Sequence, residues 1–222
     1  MKFKFSVKDI LNKGRTSIEN IEVIKEWLLT VKEDFVPSTI QDELVVLFLL
    51  SCDNDIDLTK KTVSAYYRLR KEAPEIHDDR NTKREDIRKA LNTLRMITVP
   101  IRTFGVRHIV KLRPDPLTKY FTYLGEGVPI QFVGLHFMNG NYFLDKLMSM
   151  LRLFISPDVL ERIHVHPEGW NPMELLPKEC LPKEVGGDLG LEEELTKKTM
   201  DFFKEREDFW EEEETMRKRI IK

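Results

Sequence analysis

His164 and His166 sit two residues apart in Arg162-Ile163-His164-Val165-His166. On a strand they would share one face, a spacing at which paired imidazoles can hold a metal ion. No third ligand stands at a recognisable distance, so neither a metal site nor any other cofactor is expected. Gly186, Gly187 and Gly190 follow no strand and do not build the G-x-G-x-x-G turn of a dinucleotide site. The serines, cysteines and histidines form no motif of nucleophilic catalysis, and Cys52 and Cys180, the only cysteines, lack zinc or redox spacing. An enzyme is therefore not expected. What remains is apolar chemistry. Leu144, Leu147, Met148, Leu151 and Ile155 recur at helical spacing and would lie as a stripe on one face of a helix over 142–155. By itself such a stripe is an ordinary core-packing face; over an apolar cavity it is a cover.

The elements that must position this stripe change character along the chain. The first ninety or so residues read as helices. Thr16 and Glu19 make a capping box ahead of Ile18, Ile21, Ile24, Trp27, Leu28 and Val31, and Pro37 ends that segment. Ser38 and Gln41 make a second box before DELVVLFLLSC, which is apolar nearly all round and should be a buried helix. Asp57 is placed as the cap of a third helix that stops before Pro74, and Thr82 with Glu85 caps a fourth carrying Ile87, Leu91 and Leu94. Beyond Leu94, ITVPIRTF and VRHIVKLR read as strands divided at Gly105. The segment from Val128 to Asn139 is apolar on both alternating sets, the pattern of a strand inside a covered sheet. RIHVH reads as a short strand, and Leu191 to Arg219 as one long helix with Leu195, Phe202, Phe209 and Met216 seven residues apart.

Composition narrows the class. Lys+Arg 36 against Asp+Glu 38 leaves a net charge of −2, which offers no overall field for nucleic acid. The charge is uneven: basic residues crowd Arg80 to Lys119, while Glu192–Glu194 and Glu211–Glu214 make the end acidic. The basic stretch is either a solvated face or a patch for anionic lipid headgroups, where each well-placed cation contributes about 1 kcal/mol. The opening residues lack the apolar core and cleavage site of a secretory signal, and the longest apolar run, Leu44 to Leu50, is far too short to span a bilayer. A cytoplasmic protein is expected.

Several ordered segments resemble the CRAL-TRIO family, the carriers of tocopherol, retinaldehyde and phosphoinositide, and especially its tocopherol-transfer-like and retinaldehyde-binding-like branch. Tyr66-Tyr67-Arg68-Leu69-Arg70 with Ala73-Pro74-Glu75-Ile76 resembles the YY-x-x-R…PE signature. Gly134-Leu135-His136-Phe137-Met138-Asn139 resembles the strand G-x-H-x-x-N, Arg162 to His166 the R-I-H-x-H after the gate helix, and Leu181 to Gly187 the L-P-x-E-Y-G-G motif. The resemblance implies an α/β fold: a helical N-terminal module over 1–94, a lipid-binding domain with a mixed sheet over 95–190, and a C-terminal helix over 191–222. It makes the 142–155 helix a gate over an apolar pocket. Phe132, Leu135, Leu144, Leu147, Leu151 and Ile155 would line or cover a small hydrophobic ligand, and Arg152 and Arg162 would meet phosphoinositide or other anionic headgroups. The implied protein is a monomer, peripheral and transient at membranes, that transfers its ligand between them without binding nucleic acid.

Departures from the family pattern are equally specific. Between Arg113-Pro114 and Gly127-Val128 only DPLTKYFTYLGE stands where the family has a helix pair and a central strand, so the lipid-binding domain is expected to be truncated. The basic cluster ahead of R-I-H is replaced by Ser156 to Glu161, Gln131 takes an often basic strand position, and Val185 stands for the tyrosine of Y-G-G. The alternative is a shortened, transport-deficient member serving as an interaction or membrane-peripheral module.

Overall fold

The computed structural model describes residues 5–78, 114–140 and 142–220, together with Phe3 and Glu85. Among them the chain is mostly helical, with one small parallel sheet. The expected strands over 97–113, most of the helix capped at Thr82 and nearly all of the basic stretch lie outside the described residues.

The N-terminal module is built from α1 (Val7–Asn12), α2 (Ile18–Thr30), α3 (Asp42–Ser51), α4 (Ile56–Glu72) and the single turn α5 (Pro74–His77). Its helices start at different residues than the capping boxes suggest. Ser17, not Thr16, caps α2, its hydroxyl accepting from the Asn20 amide at 3.2 Å. Asp55, not Asp57, caps α4 by accepting from the Leu58 amide at 2.9 Å. At α3 the cap position is Gln41, whose side chain does not cap the helix, and Ser38 stands outside the helix. In each case neighbouring residues compete for one cap, and the turn before the helix decides which oxygen reaches the free amides.

The first core forms where Ile21, Ile24 and Leu28 of α2 meet Val45, Phe48 and Leu49 of α3 and Val63 of α4, all essentially without solvent contact. The all-round apolar α3 is buried as its sequence requires. The second core collects the stripe of α7 (Tyr142–Leu151) and its following turn, together with Phe121, Val159 and one face of the sheet. That sheet pairs β1 (Leu135–Phe137) with β2 (Ile163–Val165) in parallel, Leu135 facing Ile163 and Phe137 facing Val165. The short α8 (Pro157–Leu160) lies between α7 and β2 and supplies Val159.

The segment over 114–127 joins the two cores. It forms α6 (Pro114–Thr122) and a π turn over Tyr123–Gly127. Tyr123 packs on the first core and Leu124 on the second, so adjacent residues anchor opposite sides. Gly127 permits this contact, because a Cβ there would lie 3.1 Å from the Tyr66 backbone.

Two expectations are corrected here. The strand expected over 128–139 is only three residues long, and Ile130 and Val133 are exposed. An apolar run does not make a strand by itself: among the described residues β1 has one partner, and residues 128–134 pass alongside without a ladder. The single long C-terminal helix is two, α9 (Glu192–Lys204) and α10 (Glu207–Ile220). Arg206 ends the first, its guanidinium lying 3.4 Å from the Phe202 ring centroid and donating to the Phe202 carbonyl at 2.8 Å. The Arg206 amide also tightens the turn by reaching back to Phe203 at 3.1 Å.

Candidate functional site

The period of two along β1 and β2 gives the sheet two unlike faces. Leu135, Phe137, Ile163 and Val165 turn into the second core beneath α7, whereas His136, His164 and His166 share the reverse face. Every apolar site residue read from the sequence falls in that core. Leu144, Leu147, Leu151 and Ile155 are buried, with Phe132 and Leu135 packed against them. The helix ends at Leu151 and a turn carries the stripe on to Ile155, leaving Leu153 79% and Phe154 36% exposed at the rim. The arrangement is an apolar helix face packed directly on the sheet, with a greasy, solvent-facing corner beside it.

Arg152 and Arg162 are both exposed, but they occupy different positions. Arg152 follows the last turn of α7. Arg162 precedes β2 and donates to the Phe132 carbonyl at 2.8 Å, tying the 128–134 segment to the sheet. One of its N–H groups is thus used in holding the floor together. A separate open groove of about 610 Å³ lies between α2, α4 and the π turn, lined by Trp27, Leu58, Lys60, Lys61, Arg68 and Glu126.

The sequence reading left His164 and His166 without a third partner; the parallel register brings His136 beside them. Nδ1 of His136 and Nε2 of His166 are 2.9 Å apart, and the His136 ring also stacks on His164 with centroids 4.6 Å apart. Trp170 closes the stack, its ring 3.6 Å from that of His166. Rings stacked in this way do not converge their lone pairs on one point, and among the described residues no group of three His, Cys, Asp or Glu is arranged to hold a metal. Burial, then the nearby His164 and His166, holds the His136 imidazole below its ordinary value of 6.5. The signal for this cluster was present in G-x-H-x-x-N, but adjacency across strands is not a property of spacing along the chain.

The remaining motifs have structural jobs. Arg70 of the YY-x-x-R segment is buried against Glu213 of α10, with the Tyr66 ring 4.2 Å from its guanidinium carbon and the Tyr123 hydroxyl accepting at 3.4 Å. Glu184 of L-P-K-E-V-G-G accepts the Glu192 amide at 3.0 Å and so caps α9. Gly187 is required because a Cβ would fall 1.9 Å from the Leu181 carbonyl oxygen.

Residues 15–87 match the family described as Pinta-like, UBA domain. The chain is also 30% identical over 87 residues to clavesin-1 of Xenopus laevis, covering 39% of this chain and 26% of that protein. Clavesin-2 of Homo sapiens is 31% identical over 85 residues, 38% of this chain and 26% of the relative. The chain spans about a quarter of the length of the curated relatives it matches. These similarities support a CRAL-TRIO relationship. They do not single out its tocopherol or retinaldehyde branch. Among the described residues no helix is long and apolar enough to cross a membrane.

Proposed function

We propose that this protein is a carrier that binds a small hydrophobic ligand, a tocopherol, retinoid or similar lipid, beneath α7 and exchanges it at membranes. No bond is made or broken in this role; the work is shielding an oily molecule from water and releasing it through a gating step. The observation that carries the reading is the lid itself: Leu144, Leu147, Leu151 and Ile155 cover Phe132 and Leu135, and the lid's rim presents Leu153 and Phe154 to solvent. A membrane surface is the natural partner for such a rim, with Arg152 and the free N–H groups of Arg162 meeting anionic headgroups, phosphoinositides included. The CRAL-TRIO similarity supports a small hydrophobic ligand in general, not this choice among them. The protein would act in the cytoplasm as a monomer, held only transiently at membranes.

A second reading is favoured by one feature. The stripe is packed against its floor with each of its five residues at 5–9% exposure, as a finished core would be. On that reading the shortened chain no longer transports and serves as an interaction or membrane-peripheral module.

Transfer of a fluorescent tocopherol or retinoid from liposomes to the full chain separates the two. A carrier takes up the probe and loses uptake in Leu147→Asp, while Leu153→Ser/Phe154→Ser keeps binding added probe but slows transfer from liposomes. Failure of the unaltered protein to take up any apolar probe would leave only the second reading.

A further inference from the structure

The histidine face of the sheet has no part in the carrier reading, yet it lies back to back with the floor under α7. Three imidazoles and an indole stack there in sequence: His164 on His136, His136 beside His166, and His166 on Trp170, with neighbouring centroids 4.6, 5.2 and 3.6 Å apart. We propose that His136, His164, His166 and Trp170 form an acid-sensitive clasp, which holds β1 to β2 and the 166–171 loop near neutral pH and loosens the floor of α7 on acidification.

The chemistry lies in the His136 Nδ1···His166 Nε2 bond of 2.9 Å. One of these nitrogens must donate and the other accept. The pair can take up one extra proton on a far nitrogen and keep the bond, and a single cation beside Trp170 has an aromatic face against which to lie. A second proton must go on the accepting nitrogen. That removes the bond and sets two imidazoliums against each other, with His164 stacked on the outer side. Among the described residues no carboxylate offsets them. On the packed elements Glu161 and Arg162 precede β2 and Glu168 lies in the loop, but among the described residues no acidic side chain pairs with any of the three rings, and Arg162 is turned to the Phe132 carbonyl.

His166 is linked to the floor through both of its backbone polar groups. The His166 amide donates to the Phe137 carbonyl at 2.8 Å, and the Gly140 amide to the His166 carbonyl at 2.7 Å. Gly140 packs so closely that a Cβ there would lie 2.4 Å from a Val165 methyl carbon. Displacing His166 therefore disturbs Phe137 and Val165, which support the second core. The sign agrees: an imidazole held below its ordinary value of 6.5 binds protons less well folded than unfolded, so its share of stability is full above 6.5 and is lost as pH falls through the lowered folded value.

Hydrogen–deuterium exchange of the full chain at pH 7.5 and 5.5, corrected for intrinsic rates, tests this without any ligand. At pH 5.5 the amides of 135–140 and 163–166 should exchange about tenfold faster, the loss of roughly one hydrogen bond. The same peptides in His136→Gln should show no pH dependence. Equal protection at both pH values, an unchanged pH response in the variant, or loosening confined to the module around His77 would each overturn the proposal. Should the variant fail to fold, imidazole NMR of the unaltered protein decides. A His136–His166 imidazole hydrogen bond seen at pH 7.5 and lost at pH 5.5 supports the clasp, and one that persists at pH 5.5 or is absent at both overturns it.

Discussion

Removing either partner of the Arg70–Glu213 pair should destabilise the protein far more than removing both. The two residues stand 143 positions apart and are each less than a tenth exposed, so they bind the C-terminal helix α10 to the N-terminal module. Glu213→Gln leaves a guanidinium buried without its counter-charge, a change that typically costs 3–5 kcal/mol. The Tyr66 ring at 4.2 Å and the Tyr123 hydroxyl at 3.4 Å remain and return part of this, which places the expected loss near 3 kcal/mol. Arg70→Met/Glu213→Leu removes both desolvation penalties and should fall within about 1 kcal/mol of the parent. Urea unfolding followed by tryptophan fluorescence and circular dichroism supplies the double-mutant cycle, with Trp27 in the module and Trp210 on α10 as reporters. Raising the salt should leave the single-variant loss nearly unchanged, because a buried pair is little screened. A loss below about 1 kcal/mol for Glu213→Gln, or a strong salt dependence, would refute the claim that α10 is held by a desolvated ion pair.

Two further outcomes follow from single sites. Gly127→Ala should lower stability by about 1–3 kcal/mol in the same unfolding assay, since the added methyl meets the Tyr66 backbone at 3.1 Å and backbone cannot turn aside. Tyr67 is buried, and burial pushes its phenol well above the ordinary value of 10.0. The unfolded chain then releases this proton first, so stability should fall as pH rises above 10; Tyr67→Phe should flatten that fall, and an unchanged alkaline profile would show that Tyr67 is not its source.

The parts of the fold that were legible in the sequence are those decided locally. Ile21, Ile24 and Leu28 mark the inner face of α2 by spacing alone, and α3 is buried because no polar face is available to turn outward. Cap positions slipped by a residue or two because Thr16 and Ser17, or Asp55 and Asp57, are equally capable chemically and only the entering backbone chooses between them. The C-terminal helix was broken by Arg206 folding back onto Phe202, which a seven-residue apolar spacing does not register. Contacts between distant segments were hidden altogether. His136 meets His166 across 30 residues and Arg70 meets Glu213 across 143, and no local pattern encodes either. The six apolar site residues fall in one cluster: helical spacing gathers Leu144, Leu147, Leu151 and Ile155, strand alternation turns Leu135 toward them, and Phe132 packs there without being on a strand.

The packing of that cluster bears on how a carrier built this way could work. Lifting α7 and its turn from the floor exposes Leu144, Leu147, Met148, Leu151 and Ile155, all now buried. At about 1.5–3 kcal/mol per side chain the cost in water is on the order of 10 kcal/mol. A ligand returning about 0.8 kcal/mol per buried methylene needs roughly a dozen such groups to offset it, so only a long or polycyclic hydrocarbon could hold the lid open. Empty, the lid has no reason to rise in water. Against a bilayer the same side chains would pass from core to hydrocarbon with little change of environment, and Leu153 and Phe154 are already exposed at the rim to make first contact. On the proposed carrier reading, opening is therefore tied to the membrane, and in free solution the closed, packed form prevails.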